Sequence, residues 1–240
     1  MRFGSRSGVT LMELLIAVSL VSLLSVGILM AMRVGLNAME KVNDRLLTNR
    51  RVAGAQRILE QQISDLIVTT ANCRPGPGGP VSKQPFFEGH PQEMRFVSGY
   101  SLQEAGRGYP RILEYRVIPR EGNEGVRLVV NEILYTGPDS TGRLCVGSGP
   151  PDVGVLFRPI QISPASFVLI DKLAFCRFFY QEPAKPPRQK VWVPVWTAKL
   201  FPLAIRIEMA PLGTAASRLP VVSLTAPVRV NKNPAFVYAN

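Results

Sequence analysis

The sequence has few of the residues from which most metal sites and hydrolytic triads are built. Its 240 residues include one histidine, His90, in a Gly-His-Pro segment. Metal sites and catalytic triads commonly need more than one such group, so we interpret His90 as a surface loop residue. No acid pair or nucleophile–base set stands out, and Gly76-Pro77-Gly78-Gly79 lacks the strand and helix of a phosphate loop. We therefore expect no enzyme, metal, cofactor or small-molecule ligand.

Runs of basic residues are also missing, although basic residues are abundant. The chain has 28 Lys and Arg against 17 Asp and Glu, a formal net charge of +11. Such a balance raises the question of nucleic acid or anionic lipid as a partner. The basic residues are scattered, however, and no five or six of them adjoin one another. We therefore predict a solvated basic surface and no nucleic-acid partner.

Charge is nearly absent from one long segment near the N-terminus. A short leader with Arg2 and Arg6 ends in Gly8, and residues 9–32 that follow carry a single charge, Glu13. At about 1.5 Å per residue, a helix of this length can cross a hydrocarbon core of about 30 Å. A carboxylate in such a helix costs on the order of a few kcal/mol, and nothing in lipid compensates it. We therefore expect Glu13 to have a partner on another molecule.

Two simpler interpretations fit this segment less well. A secretory signal peptide has an apolar core of about 7–15 residues, followed by a cleavage site of small residues. Here the apolar run is longer and reaches Met32 without such a site. A plain single-pass anchor accounts for the hydrophobicity but leaves Glu13 and Gly8 unexplained.

The segment Gly8-Val9-Thr10-Leu11-Met12-Glu13-Leu14 resembles the class III signal of type IV pilins and of the pseudopilins of type II secretion. The resemblance implies that a prepilin peptidase cuts between Gly8 and Val9 and that Val9 becomes N-methylated. It also implies that Glu13 serves subunit assembly, by meeting the new amine of Val9 on a neighbouring subunit. The family usually has Phe directly after the glycine, where this chain has Val9.

Beyond Met32 the helical pattern continues and becomes amphipathic. No proline occurs between Val9 and Val68, so one continuous helix is allowed. Its apolar residues recur at three- and four-residue spacing: Leu36, Met39, Leu46, Leu47, Ala55, Ile58, Leu59, Ile63, Leu66 and Ile67. We divide the chain into a cleaved leader (1–8), a transmembrane and assembly helix (9–32), an amphipathic helix continuing into the head (33–70) and a β-rich head (71–240).

The head is predicted to be an antiparallel sheet, so the fold class is α+β. Residues 73–92, rich in Pro and Gly, are predicted to be a loop, and residues 136–164 an irregular excursion with short strands around 153–157. Strands are predicted at 93–98, 111–118, 126–135 and 166–180, with a last edge strand within 219–230. Residues 122–125 form the turn of a hairpin. Residues 182–190 are a solvated loop, and Leu203, Ile205, Ile207 and Met209 face the core.

The order of aromatic residues in the C-terminal half resembles the J-type minor pseudopilins. Its segments are Phe178-Phe179-Tyr180, Val191-Trp192-Val193-Pro194-Val195-Trp196 and Phe201-Pro202-Leu203-Ala204-Ile205-Arg206-Ile207. This resemblance implies a pseudopilin fold and a place near the pseudopilus tip, with I- and K-type minor pseudopilins and the major pseudopilin as partners. It also implies a single-pass protein of the inner membrane with a periplasmic head. From their size and apolar character, Trp192 and Trp196 are predicted to be core residues.

The three cysteines, Cys73, Cys145 and Cys176, are spaced too widely for a zinc or redox motif. An oxidising periplasm would allow one disulfide, and Cys73 with Cys145 is the preferred pair because both fall in predicted loops. Two alternative functions stay open. One is a minor pilin of a type IV pilus or a component of DNA uptake, and the other is a membrane-anchored periplasmic domain that binds DNA or another polyanion.

Overall fold

The computed structural model describes residues 9–74, 79–148, 155–183, 191–196, 198, 200–212 and 221–228. The predicted leader with Gly8, residues 75–78 of the first predicted loop and residues 184–190 of the loop at 182–190 lie outside these ranges. The chain divides into two compact units, Met1–Arg51 and Val52–Asn240. We describe each unit by itself.

The described part of the first unit contains a single helix. Helix α1 spans Leu11–Ser64 and so begins in this unit. Within it, Leu11–Glu40 has a mean hydropathy of 2.6 and no buried side chains, and it is long and apolar enough to cross a membrane. Among the described residues, one such helix is present. The predicted N-terminal apolar helix is thereby confirmed, and its length and composition are those of a single-pass anchor.

Among the side chains that the structure describes, the buried stripe of α1 begins later than the sequence pattern predicts; Leu46 and Leu47 of the predicted stripe lie outside them. Val52, Ala55, Leu59 and Ile63 are buried at three- and four-residue spacing in the second unit. Leu36 and Met39, which share the predicted stripe, are 54% and 71% exposed. The periodicity identifies which side chains share a face. It does not tell how far along the helix a covering surface extends.

The helix also ends earlier than the predicted boundary at residue 70. The amide of Asp65 donates to the carbonyl of Gln61 at 3.0 Å, and the carbonyl of Asp65 then accepts the amide of Gly99, also at 3.0 Å. The chain continues as strand β1, Leu66–Ile67. Residues 67–70 are Ile, Val, Thr and Thr, and such β-branched side chains favour a strand over a helix.

The second unit has thirteen strands among its described residues. After β1 they are β2 (Thr70–Cys73), β3 (Ser82–Pro85), β4 (Glu88–Gly89), β5 (Glu93–Ser101), β6 (Gly106–Pro119), β7 (Val126–Leu134), β8 (Cys145–Ser148), β9 (Val155–Phe157), β10 (Phe167–Gln181), β11 (Trp192–Val193), β12 (Ala204–Pro211) and β13 (Val222–Pro227). A short helix α2, Pro138–Gly142, precedes β8, and a 3₁₀ turn, Glu121–Asn123, precedes β7.

One antiparallel sheet holds most of these strands. Its order is β1-β5-β6-β7-β10-β12-β13, with β4 paired to β5 and β11 paired to β10. The predicted hairpin joins β6 and β7, and Gly122 and Gly125 in its turn have φ of 77° and 83°, a region that favours glycine. The predicted edge strand is β13, which pairs with β12. A long N-terminal helix with a large antiparallel sheet confirms the α+β class.

The predicted loop at 73–92 contains regular structure, and the excursion at 136–164 contains more of it than the short strands predicted around 153–157. The segment 73–92 holds β3 and β4, and the excursion at 136–164 holds α2, β8 and β9. Strands β2 and β3 form one two-stranded sheet, and β8 and β9 form another. Both segments are rich in Gly and Pro, which mark turns but do not exclude the very short strands between them.

Two hydrophobic clusters lie in the second unit. The larger one joins the buried stripe of α1 to the sheet and includes Phe96, Leu113, Tyr115, Val130, Phe178, Trp196, Ile205, Ile207 and Met209. The smaller one contains Val97 and Ile112, the neighbours of Phe96 and Leu113, together with Ala71, Phe86 and the cysteines Cys73 and Cys145. Because neighbouring strand residues point to opposite faces, β5 and β6 are covered on both.

The observed burial corrects three predictions, for the segment 111–118, for Leu203 and for Trp192. The segment 111–118 is not half-buried, since Ile112, Leu113, Glu114 and Tyr115 are all buried. Of the predicted core positions, Ile205, Ile207 and Met209 are buried, whereas Leu203 is half-buried and lies just before β12. Trp196 belongs to the core, but Trp192 is half-buried. The guanidinium carbon of Arg206 lies over the Trp192 ring, 4.6 Å from the ring centroid.

Candidate functional site

Glu13, which the sequence predicts to serve subunit assembly, lies in the first turn of α1. The amide of Glu13 donates to Oγ1 of Thr10 at 3.3 Å, and the Glu13 carboxylate accepts the amide and the hydroxyl of Thr10 at 3.3 and 3.4 Å. This reciprocal arrangement is a capping box. It also places a negative charge in the first turn, at the positive end of the helix dipole.

These contacts compensate the Glu13 carboxylate within its own chain. The hydropathy pattern alone predicts that only another molecule can supply a compensating group. In the structure, Thr10 of the same chain supplies two hydrogen-bond donors. The signal was present in the sequence, because Thr-x-x-Glu before an apolar run is typical of a capping box. Val9 is 75% exposed, and Gly8 lies outside the described residues.

The second unit contains a buried polar network between α1 and the sheet. Gln62 of α1 is fully buried, and its Nε2 donates to Oε1 of Glu132 at 3.3 Å. The hydroxyl of Tyr115 donates to Oε1 of Gln62, and Ser101 Oγ donates to the other Glu132 oxygen at 2.8 Å. Burial raises the pKa of Tyr115 well above its usual range, and the nearby Glu132 charge adds to the rise. These buried groups are hydrogen-bonded to one another, so the network fixes this part of the helix on the sheet.

A second buried network lies on the opposite face of the sheet. The guanidinium of Arg95, 1% exposed, donates through Nε to Glu114 at 2.8 Å and through one terminal nitrogen to Glu88. Its other terminal nitrogen donates to the carbonyl of Arg158 at 2.8 Å. The alternating sequence pattern predicts that Glu114 faces solvent. In the structure the segment around Arg158 covers this face, and Glu114 and Arg95 form a buried ion pair beneath it.

His90 is exposed, as predicted, but it is not isolated. Its Nε2 lies 3.5 Å from Oε1 of Glu88, and the hydrogen bond to Glu88 raises the pKa of His90 above its ordinary value. The hydroxyl of Tyr180 donates to the His90 carbonyl at 3.0 Å. Among the described residues, no three His, Cys, Asp or Glu side chains are placed to hold a metal ion.

The structure contains the disulfide that the sequence analysis favoured. Cys73 and Cys145 are bonded, with Cα atoms 5.5 Å apart. The pair is predicted because both cysteines are expected in loops, but Cys73 ends β2 and Cys145 begins β8. Cys176 is buried in β10, and burial raises the pKa of its thiol to about 12.

Comparison with known proteins assigns no family to this arrangement. A scan against models of protein families finds no match, and a search of curated proteins finds no significant relative. Any function proposed for the chain therefore follows from its own sequence motifs and side-chain contacts.

Proposed function

We propose that the chain is a minor pseudopilin of a type II secretion system, of the J type, with a pseudopilin fold. The observation that carries the proposal is a capped apolar helix that begins at Leu11, shortly after Gly8-Val9 in the sequence, with Glu13 as the single carboxylate of residues 9–32 and with an α+β head after it. A single-pass helix of this kind is suited both to storage in a membrane and to packing in a helical fibre.

In the proposed mechanism, a prepilin peptidase removes residues 1–8 and Val9 is N-methylated. The helix of residues 9–32 then leaves the inner membrane and packs against the helices of the major pseudopilin and of I- and K-type partners. The Glu13 carboxylate pairs with the Val9 amine of a neighbouring subunit, which offsets two burials that would each be costly alone. The head stays in the periplasm near the pseudopilus tip, whose growth drives exported proteins through the outer-membrane channel.

Mass spectrometry of the N-terminus tests the proposal. In cells that contain a prepilin peptidase, the membrane-extracted protein should begin with a methylated Val9. A Gly8→Leu variant should keep all of its first eight residues in the same cells, because the peptidase reads the residues at the cut. An intact N-terminus in the wild-type protein contradicts the proposal.

A deletion strain separates secretion from a pilus. Loss of this gene should leave the exported proteins in the periplasm and leave surface pili unchanged in number. Loss of pili or of DNA uptake with normal secretion would instead assign the chain to a type IV pilus.

A further inference from the structure

A polar cleft of about 380 Å³ lies beside the disulfide in the second unit. Among the described residues, three arginines line it, Arg74, Arg143 and Arg158, together with one carboxylate, Asp139. Three positive charges against one negative charge give this described lining a net charge of two positive units at pH 7. None of the residues that line this cleft belongs to the apolar segment 9–32, so binding in the cleft does not depend on the proposed processing or assembly.

The walls of this arginine cleft are fixed by several independent contacts. Nδ2 of Asn72 donates to Asp139 at 2.7 Å, and Oγ1 of Thr141 donates to the Thr70 carbonyl at 3.1 Å. A Cβ on Gly142 would lie 2.3 Å from the carbonyl oxygen of Asn72, so α2 lies directly against β2. The disulfide joins the end of β2 to the start of β8. The cleft is thus preformed, which lowers the cost of ordering it around a ligand.

The backbone of Arg158 is held with similar precision. Its amide donates to the Leu144 carbonyl at 2.8 Å, and its carbonyl accepts the buried guanidinium of Arg95 at 2.8 Å. The Arg158 side chain itself is exposed. These contacts fix the position of the Arg158 backbone beside the cleft, and the exposed guanidinium is free to reach a ligand there.

The three arginines differ from most arginines of the sheet in having no acidic partner. Arg95, Arg107 and Arg111 each form an ion pair with a carboxylate. In the described parts of the chain, no carboxylate lies within ion-pair distance of Arg74, Arg143 or Arg158, although Asp139 lines the same cleft. Unpaired guanidinium groups around a fixed concavity are suited to binding carboxylate or phosphate.

A second, more apolar cleft adjoins the first. It has a volume of about 580 Å³, and Arg158 lines both clefts. Its apolar lining is provided by Ile133, Leu144, Pro159 and Ala165, and its described lining also includes Glu114 and Glu132. These two carboxylates already have partners, since Glu114 pairs with Arg95 and Glu132 accepts hydrogen bonds from Gln62 and Ser101. A ligand that fits both clefts carries anionic groups and, a short distance away, apolar groups.

We propose that the two clefts bind an acidic peptide segment of a partner protein, with its carboxylates at the three arginines and its apolar side chains in the larger cleft. Nucleic acid fits less well. Its binding grooves follow the backbone with a continuous positive charge and stack bases on aromatic rings. Here Asp139 interrupts the charge, and no aromatic side chain is among the described residues that line either cleft. The inference holds whether or not the chain is a pseudopilin.

A binding titration tests this inference on the full-length protein in phosphatidylcholine nanodiscs, with empty nanodiscs as the blank. The probe is a fluorescein-labelled nonapeptide of alternating leucine and aspartate, followed by fluorescence anisotropy. Saturable binding is expected, and it should weaken as salt is added. The double variant Arg143→Gln/Arg158→Gln should weaken it by about tenfold or more. The matched control, Lys172→Gln/Arg177→Gln, removes two exposed charges from β10 and should change it by less than about twofold.

A variant with the opposite expected effect protects the test from a folding artefact. Asp139→Asn removes the carboxylate from the arginine cleft and keeps an acceptor for Asn72, so it should tighten peptide binding. Absence of saturable wild-type binding up to about 1 mM, which corresponds to only about −4 kcal/mol, overturns the inference. Three other results would also overturn it. The two double variants could weaken binding equally, Asp139→Asn could bind the peptide more weakly than the wild type, or the wild type could bind an oligothymidylate of equal charge more tightly than the peptide.

Discussion

At the residue scale, Gln62 is the polar side chain on which the packing of α1 depends most. It is fully buried and connects Tyr115 to Glu132, while its backbone carbonyl accepts Ser98 Oγ at 2.8 Å. Gln62→Met keeps the length of the side chain but leaves the Tyr115 hydroxyl buried without a partner. We expect a loss of about 1–3 kcal/mol in the free energy of unfolding, measured by urea titration of the full chain in nonionic micelles.

A neighbouring glutamine provides the control for this prediction. Gln61→Met makes the same chemical change at a half-buried position and should stay within about 0.5 kcal/mol. Adding Tyr115→Phe to Gln62→Met should recover part of the loss, because it removes the stranded hydroxyl. Equal losses at Gln61 and Gln62 would show that helix packing, and not the network, sets the stability.

His90 gives the stability a pH dependence that can be assigned to one residue. Its hydrogen bond to Glu88 raises its pKa in the folded state, with Glu93 adding to the rise and Arg95 opposing it. A raised pKa stabilises the fold fully below the unfolded value of about 6.5, and this contribution is lost as the pH rises through the folded pKa. The side chain is 48% exposed, so we expect an effect below about 1 kcal/mol.

Urea midpoints between about pH 5.5 and 8.5 measure this effect. The wild-type midpoint should fall across that range, and the midpoint of His90→Gln should stay nearly constant. His90 is the chain's one histidine, so no second imidazole can contribute. A variant whose midpoint falls as steeply as the wild type would remove His90 from the explanation.

At the element scale, the disulfide joins two sheets between which the described residues form no backbone hydrogen bond. Cys73 and Cys145 are 72 residues apart in sequence and link β2 to β8. Reduction should lower the free energy of unfolding by about 2–4 kcal/mol. The Cys73→Ser/Cys145→Ser variant should match the reduced protein and should not respond to further reductant. If reductant destabilises this variant as much as the wild type, the effect belongs to another group.

The elements that the sequence predicted well are those whose signal is local. The apolar helix needs only hydropathy and the absence of proline, and the hairpin between β6 and β7 needs only alternation and a Gly-containing turn. The edge position of β13 follows from Pro220 and Pro227, since proline lacks the amide that a central strand requires.

The features that the sequence did not predict depend on distant segments. Glu114 and Arg95 are buried because residues far along the chain cover their side of the sheet, as the contact with Arg158 shows. The start of the buried stripe at Val52 likewise depends on where the sheet can cover α1. The capping box is different, because its Thr-x-x-Glu signal is local and the sequence analysis missed it in favour of a partner on another chain.

At the scale of the whole molecule, Glu13 has two candidate roles that the structure makes separable. Its carboxylate caps its own helix through Thr10, and in the proposed assembly it pairs with the Val9 amine of a neighbour. The first role needs an acceptor oxygen, whereas the second needs a negative charge. Two substitutions distinguish them. Glu13→Gln keeps an acceptor and removes the charge, and Thr10→Val removes the capping hydroxyl and keeps the charge.

We expect both variants to insert into the membrane, since neither adds a charge to the apolar helix. Thr10→Val should weaken the cap by about 0.5–2 kcal/mol, an effect confined to the first turn, and should leave incorporation nearly normal. Glu13→Gln should bring the Val9 amine of a neighbour into the helix bundle without a counter-charge, at a cost of several kcal/mol. It should therefore reduce co-purification of the partner pseudopilins and reduce secretion clearly but partially, because a subunit at the tip has one neighbour fewer. Normal co-purification and secretion with Glu13→Gln, together with a defect in Thr10→Val, would assign Glu13 to capping and remove it from assembly.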